Sequence, residues 1–167
     1  MQIKPCNMKH PFYIFLDIDG VLYIDGYCGL AIARINEFIE YTGGRVVISS
    51  DRRHSREALE YTFDKLTQAG FTTNLEDVLT TPIVKPSDEF FWQADVRREE
   101  IHRFLKERNH VDKPYVIIDD LDLNKNAKMP NPRLVKTDKK EGFTHSEYIN
   151  ALKVFHADCN EYASSSS

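Results

Sequence analysis

No apolar run in this chain approaches the roughly 20 residues needed to cross a bilayer, so no membrane span is expected. The leading stretch MQIKPCNMKHP lacks the apolar core and small-residue cleavage site of a signal peptide, and secretion is not expected either. Cysteine is scarce: Cys6, Cys28 and Cys159 are odd in number and widely spaced, without a CxxC pair or a Cys/His cluster of zinc spacing. Incidental thiols in a reducing cytoplasm are the expectation. Positive charge is not in excess, since 22 Lys and Arg face 26 Asp and Glu for a net charge of -4. Any nucleic-acid contact would therefore be local rather than driven by an overall basic field. There is no internal repeat and no long linker. A length of 167 residues, 41% hydrophobic and 29% charged, suits one domain around one core, and hence one site.

What the chain does contain is an alternation of strand and helix signals, the pattern of a parallel α/β sheet. Phe12–Leu16 reads as a first strand, followed by VLYIDGYCG, whose Asp25-Gly26 dipeptide marks a small β-flap. Ile32, Ile35 and Ile39 recur at helical spacing over Leu30–Tyr41, with Gly43-Gly44 as a stop. Arg45–Ile48 is a short buried strand running into Ser49, Ser50, Asp51, Arg52 and Arg53. Leu59, Phe63 and Leu66 predict a helix over Ser55–Ala69. Val78–Val84 reads as an edge strand interrupted by Pro82. A loop, KPSDEFFWQAD, precedes a helix over Val96–Asn109. Tyr115–Ile118 is a buried strand ending in Asp119-Asp120, Leu134-Val135 is a last short strand, and Thr144 with Glu147 forms a capping box for a final helix. The expected domain plan is an N-terminal extension over 1–11, a catalytic domain over 12–158 and a tail over 159–167. The expected fold is a three-layer, Rossmann-like sheet flanked by helices, with no large cap domain.

In such sheets ligands bind beyond the carboxyl ends of the strands. Three strands deliver polar groups there: Asp17 and Asp19, Ser49 and Ser50, and Asp119 and Asp120. Close carboxylates repel unless a cation or proton lies among them, and Mg²⁺ suits a site with few protein ligands and a phosphate. A serine hydroxyl can donate to a phosphoryl oxygen. For an Asp-x-Asp alone, a solvated turn is as good a reading. The repetition of acids at two strand ends favours the metal and phosphate site.

The order of these motifs resembles the haloacid dehalogenase (HAD) superfamily. That resemblance implies Asp17 as a nucleophile forming an aspartyl-phosphate, Asp19 as general acid and base, and Ser49 as a phosphate-binding hydroxyl. It further implies Mg²⁺ held by Asp120 and Asp119 together with Asp17 and Asp19. An acid at the second position of the motif resembles the phosphatase and phosphotransferase branches. DIDGVL, VISSDRR, RREEI, VIIDDLD and LVKTDKKEGF resemble more closely the HAD domain of Swiss Army Knife RNA repair proteins. That group has Trp where this chain has Arg52, a departure that touches local packing.

A basic phosphoryl clamp is open between Lys85, in a Lys-Pro pair like that of the wider superfamily, and Arg97, in RREEI. Arg97 is favoured, because a helix start adds a positive field and Arg can hold two oxygens. Arg53 is a candidate for a further phosphate, with a solvated helix start as the plain alternative for Arg52, Arg53 and Arg56. Phe90, Phe91 and Trp92 could stack a base, although such clusters more often pack in a core or loop. The intervals after the flap and after the second motif leave no room for a cap, and by family analogy such open sites serve bulky substrates. The expected activity is hydrolysis of a terminal phosphate on a polynucleotide. The alternatives are a nucleotide or small-metabolite phosphatase and a non-catalytic phosphate-binding module.

Overall fold

The computed structural model describes residues 11–165, with side chains through residue 159. Apart from Pro11, the expected N-terminal extension lies outside the described residues, as does Cys6.

Five segments form the sheet, and the three at its centre, Tyr13–Leu16, Arg45–Ile48 and Tyr115–Asp119, bury apolar side chains on both faces. The strands are β1 (Tyr13–Leu16), β2 (Arg45–Ile48), β3 (Leu79–Thr80), β4 (Tyr115–Asp119) and β5 (Leu134–Lys136). All pair in parallel, in the order β3-β2-β1-β4-β5. Side chains alternate across a strand. Ile14, Leu16, Val46, Ile48, Val116 and Ile118 thus pack on one face with α1 (Gly29–Thr42), α2 (Arg56–Gln68) and α4 (His145–Ser165). Tyr13, Phe15, Val47 and Ile117 pack on the other face against Ile101, Phe104 and Leu105 of α3 (Gln93–Glu107). This is the three-layer, Rossmann-like arrangement, and among the described residues no inserted cap domain interrupts it. No helix among the described residues is long and apolar enough to cross a membrane.

Helix ends follow local chemistry. Gly43 takes a left-handed φ of 64° and its N–H closes α1 on the Ile39 carbonyl. Ser55 Oγ accepts the Ala58 N–H at 3.0 Å to start α2. Thr144 Oγ1 donates to the Glu147 carboxylate at the start of α4, a side-chain variant of the expected capping box. α4 runs to Ser165, past the domain boundary expected at residue 158.

Three expectations need correction. β3 is two residues long, because Pro82 has no N–H to extend the ladder. α3 begins at Gln93, so Arg97 stands a full turn inside the helix rather than at its start. The argument from a helix N-terminal field therefore does not apply to it. Cys159 is disulfide-bonded rather than an incidental thiol, whereas Cys28 is free.

Candidate active site

Leu16 and Ile118 are partners in the β1–β4 register. The next residues on each strand, Asp17 and Asp119, consequently stand side by side, with the Asp17 N–H bonded to the Ile118 carbonyl at 3.0 Å. Strand parity points both carboxylates to the face covered by α3. From α3 comes Arg97, buried to 2% exposure. Its Nη1 donates to Asp119 Oδ2 at 2.7 Å and lies 3.5 Å from Asp17 Oδ1, while Nη2 donates to Asp51 Oδ1 at 3.1 Å.

Asp120 completes an acidic group. Carboxylate oxygens of Asp17, Asp119 and Asp120 all lie within 4.8 Å of one another, so the three residues could hold a metal ion. Asp120 packs over Gly20, where a Cβ would fall 2.5 Å from Asp120 Oδ2. Gly20 also has a φ of 76°, and its carbonyl accepts the Thr137 hydroxyl at 2.7 Å. Only glycine fits that position.

Burial pushes the Asp17 carboxyl well above its usual range and the Asp119 charge adds to this, with Arg97 pulling the other way and Asp120 raising it further. Asp119 is likewise raised by burial, against Arg97 and the Leu121 N–H. One guanidinium faces three carboxylates. A divalent cation is the species that fits such a crowded acidic donor set, and hard oxygen ligands suit Mg²⁺.

Ser49 follows β2, its N–H on the Leu16 carbonyl at 3.1 Å. It is wholly buried, and its Oγ has no hydrogen-bond partner, as is also true of Arg97 Nε. Buried polar atoms normally have partners, so the orphaned Ser49 hydroxyl at the end of β2 fits an oxygen-rich ligand, whereas Arg97 Nε, on α3, lies 3.9 Å from Glu100 Oε1. Ser50, by contrast, is engaged in the fold: its Oγ accepts the Arg52 N–H at 3.3 Å and caps the short 3-10 turn Asp51–Arg53.

Asp19 stands apart from the acidic cluster. Beyond Asp17 the chain leaves the sheet, Ile18 turns into the core, and the Asp19 side chain is half exposed. Arg52 holds it with Nε and Nη2 at 2.8 Å each. The same guanidinium lies 4.7 Å from the Tyr23 ring centre and 5.8 Å from that of Tyr27. These tyrosines belong to the flap, which is closed by a Tyr23–Tyr27 antiparallel bridge around Asp25 and Gly26. The Asp19 carboxylate, expected beside the metal, is turned to Arg52 and lies outside the group of Asp17, Asp119 and Asp120.

Arg53 does not reach into the site. All its donors are engaged: Nε on the Thr81 carbonyl, Nη1 on the Ser49 and Ser50 carbonyls, Nη2 on the Pro82 carbonyl and the Glu100 carboxylate. Glu100 in turn accepts the Val84 N–H at 3.0 Å. This pair fastens the loop after β3 to α3, which corrects the expectation of Arg53 as a phosphate ligand. Lys85 is exposed and makes no ion pair among the described residues. Of the two clamp candidates, only Arg97 meets the acids. Asp51 is a site residue that the motifs alone did not single out, although its place between Ser50 and the arginines was a signal.

The arrangement supplies a buried carboxylate beside a fixed guanidinium, an unpaired hydroxyl, a metal-capable acid group and a second carboxylate at the rim. A family described as the HAD domain in Swiss Army Knife RNA repair proteins matches the chain over residues 13–148. No curated protein and no solved structure matches it.

Proposed function

The chain belongs to the family of HAD domains in Swiss Army Knife RNA repair proteins, and from that premise we propose a Mg²⁺-dependent phosphomonoester hydrolase that works through an aspartyl-phosphate on Asp17 and removes a terminal phosphate from a polynucleotide. The family implies a phosphatase-type function. The observation that carries the finer reading is the meeting of Asp17 with Asp119, Asp120 and the buried Arg97.

Asp17 attacks phosphorus, forming a P–O bond as the bond to the leaving alkoxide breaks. Asp19 gives that alkoxide a proton, then takes one from a water that attacks the phosphorus and frees phosphate and Asp17. Arg97 and the Ser49 hydroxyl hold phosphoryl oxygens, and Arg52 orients Asp19. Mg²⁺, bound by Asp17, Asp119 and Asp120, would offset the charge of these acids and of the phosphoryl group. Phosphorylated nucleic-acid ends are preferred over nucleotides because the site carries no cap to enclose a small substrate.

The test is phosphate release with Mg²⁺ from 3'- and 5'-phosphorylated oligonucleotides, mononucleotides and sugar phosphates, beside the Asp17→Asn variant. Release from oligonucleotides above mononucleotides, lost in Asp17→Asn, is expected. Turnover by Asp17→Asn at the wild-type rate would remove the mechanism, and a preference for mononucleotides would remove the substrate.

A further inference from the structure

The loop before α3 presents Phe91 and Trp92 to solvent, at 68% and 64% exposure, so these rings are not core residues. They meet edge to face, with centres 5.3 Å apart at 83°, which leaves ring faces open. Ile83, on the segment after β3, is also exposed. Together they make an apolar patch rather than scattered surface hydrophobics.

Beside the patch is a cleft of about 310 Å³, with an apolar wall of Ile83, Val84, Phe91 and Val96. Its polar wall includes Asp51, Gln93 and His54. One of those polar residues, Asp51, reaches the catalytic arrangement directly, and Gln93 joins it through Asp51. Asp51 accepts from Arg97 at 3.1 Å through one oxygen and from Gln93 Nε2 at 3.1 Å through the other. The cleft therefore borders Asp51, the acid that Arg97 contacts through Nη2. Lys85, exposed and without an ion pair among the described residues, lies in sequence between the lining residues Val84 and Pro86. It puts a cation on the segment that borders the cleft.

We propose that this cleft is a nucleobase subsite, in which Phe91 of the cleft wall stacks a base of a single-stranded polynucleotide, Trp92 extends that aromatic surface from its place against Phe91, and Lys85 meets the adjoining phosphodiester. The inference rests on the polynucleotide reading of the site and assigns the part of the substrate beyond the reacting phosphate. Stacking on exposed aromatics is tolerant of sequence because every base has a π face. The amide of Gln93 and the ring of His54 offer hydrogen bonds to a base edge. Exposed aromatic faces beside the site, on the polynucleotide reading already proposed, favour a nucleic acid as the occupant.

Trp92 is the chain's single tryptophan, so intrinsic fluorescence reports on this place alone. The full chain is titrated with an unphosphorylated single-stranded RNA hexanucleotide and with an abasic ribose-phosphate chain of equal length at the same ionic strength. Saturable quenching by the hexanucleotide and much weaker quenching by the abasic chain is the expected result. Phe91→Leu should weaken hexanucleotide binding about tenfold, or ~1.4 kcal/mol, and raise KM for a phosphorylated oligonucleotide by a similar factor. Unchanged fluorescence, or equal quenching by the abasic chain, would overturn the subsite. Because neither probe carries a terminal phosphate, the titration does not depend on turnover. Loss of the phosphatase reading and loss of the subsite are separate results.

Discussion

Arg52 grips Asp19 as a fork, with Nε and Nη2 each 2.8 Å from a different carboxylate oxygen, while its guanidinium lies over the Tyr23 ring. The two residues are 33 positions apart, and the contact joins the 3-10 turn after β2 to the flap after β1. A carboxylate held by two bonds has a fixed direction yet keeps lone pairs for a proton.

Arg52→Ala should consequently lower kcat by about tenfold with little change in KM, since the acid and base would lose its orientation rather than its chemistry. Arg52→Lys should recover only part of the loss, because an ammonium keeps the charge and not the fork. Steady-state kinetics on a phosphorylated oligonucleotide decide this. Full recovery with Lys would show that charge alone matters.

Arg97→Ala should cost about a hundredfold or more in kcat, on the scale of losing one donor to a transferring phosphoryl group. Lys85→Ala should keep kcat within about threefold and act, if at all, through KM, as expected of an exposed charge at the rim. Assays should be run well below each variant's Tm, because Arg97 also offsets the charge of two buried acids. A crippled kcat in Lys85→Ala with a normal Arg97→Ala would reverse the assignment.

Arg53 should matter to stability. Its ion pair with Glu100 is almost fully buried on both sides. Removing one partner of such a pair typically costs 3–5 kcal/mol. Arg53→Ala should therefore lower Tm on the order of 10 °C for a chain of this length. Arg56→Ala, which breaks an exposed pair with Glu60, should shift Tm by about 1 °C or less. Thermal unfolding by circular dichroism separates the two.

Metal and pH should be linked through Asp17 and Asp119, whose carboxyls are both raised from the usual 3.8. A raised acid contributes stability that is fully present below its unfolded pKa and is lost as pH rises through its folded pKa. Metal-free protein should thus lose stability as pH climbs above about 4, towards neutrality. Mg²⁺ should restore it, raising Tm by several degrees at pH 7 when well above its dissociation constant. The Mg²⁺ shift should vanish near pH 4 and be much reduced in Asp120→Asn. EDTA should abolish phosphate release.

The sheet and the acidic cluster were legible in the sequence because they depend on near neighbours. A buried strand reads as an apolar run, and parity then sets where the next residue points. Asp17 and Asp119 needed only that. The arginines were not legible, because a guanidinium that grips phosphate and one that grips carbonyls look alike until burial separates them. Arg53 went to the Thr81, Ser49, Ser50 and Pro82 carbonyls. The start of α3 was obscured because Trp92 supplies no side-chain cap. The tie of Arg52 to Asp19 required the tertiary fold.

The flap is anchored along its first half. The Thr137 hydroxyl holds the Gly20 carbonyl, the Phe143 N–H holds the Val21 carbonyl, and a Cβ on Gly142 would fall 2.1 Å from Ile24. A segment fastened in this way is an anvil and not a door. On the proposed phosphatase reading, drying of the reaction centre would then come from the molecule that docks on it: a long substrate would shut out bulk water with its own body, whereas a short one would leave the phosphorus wet. Selectivity for large substrates would follow from that alone, with no pocket needed to measure their size.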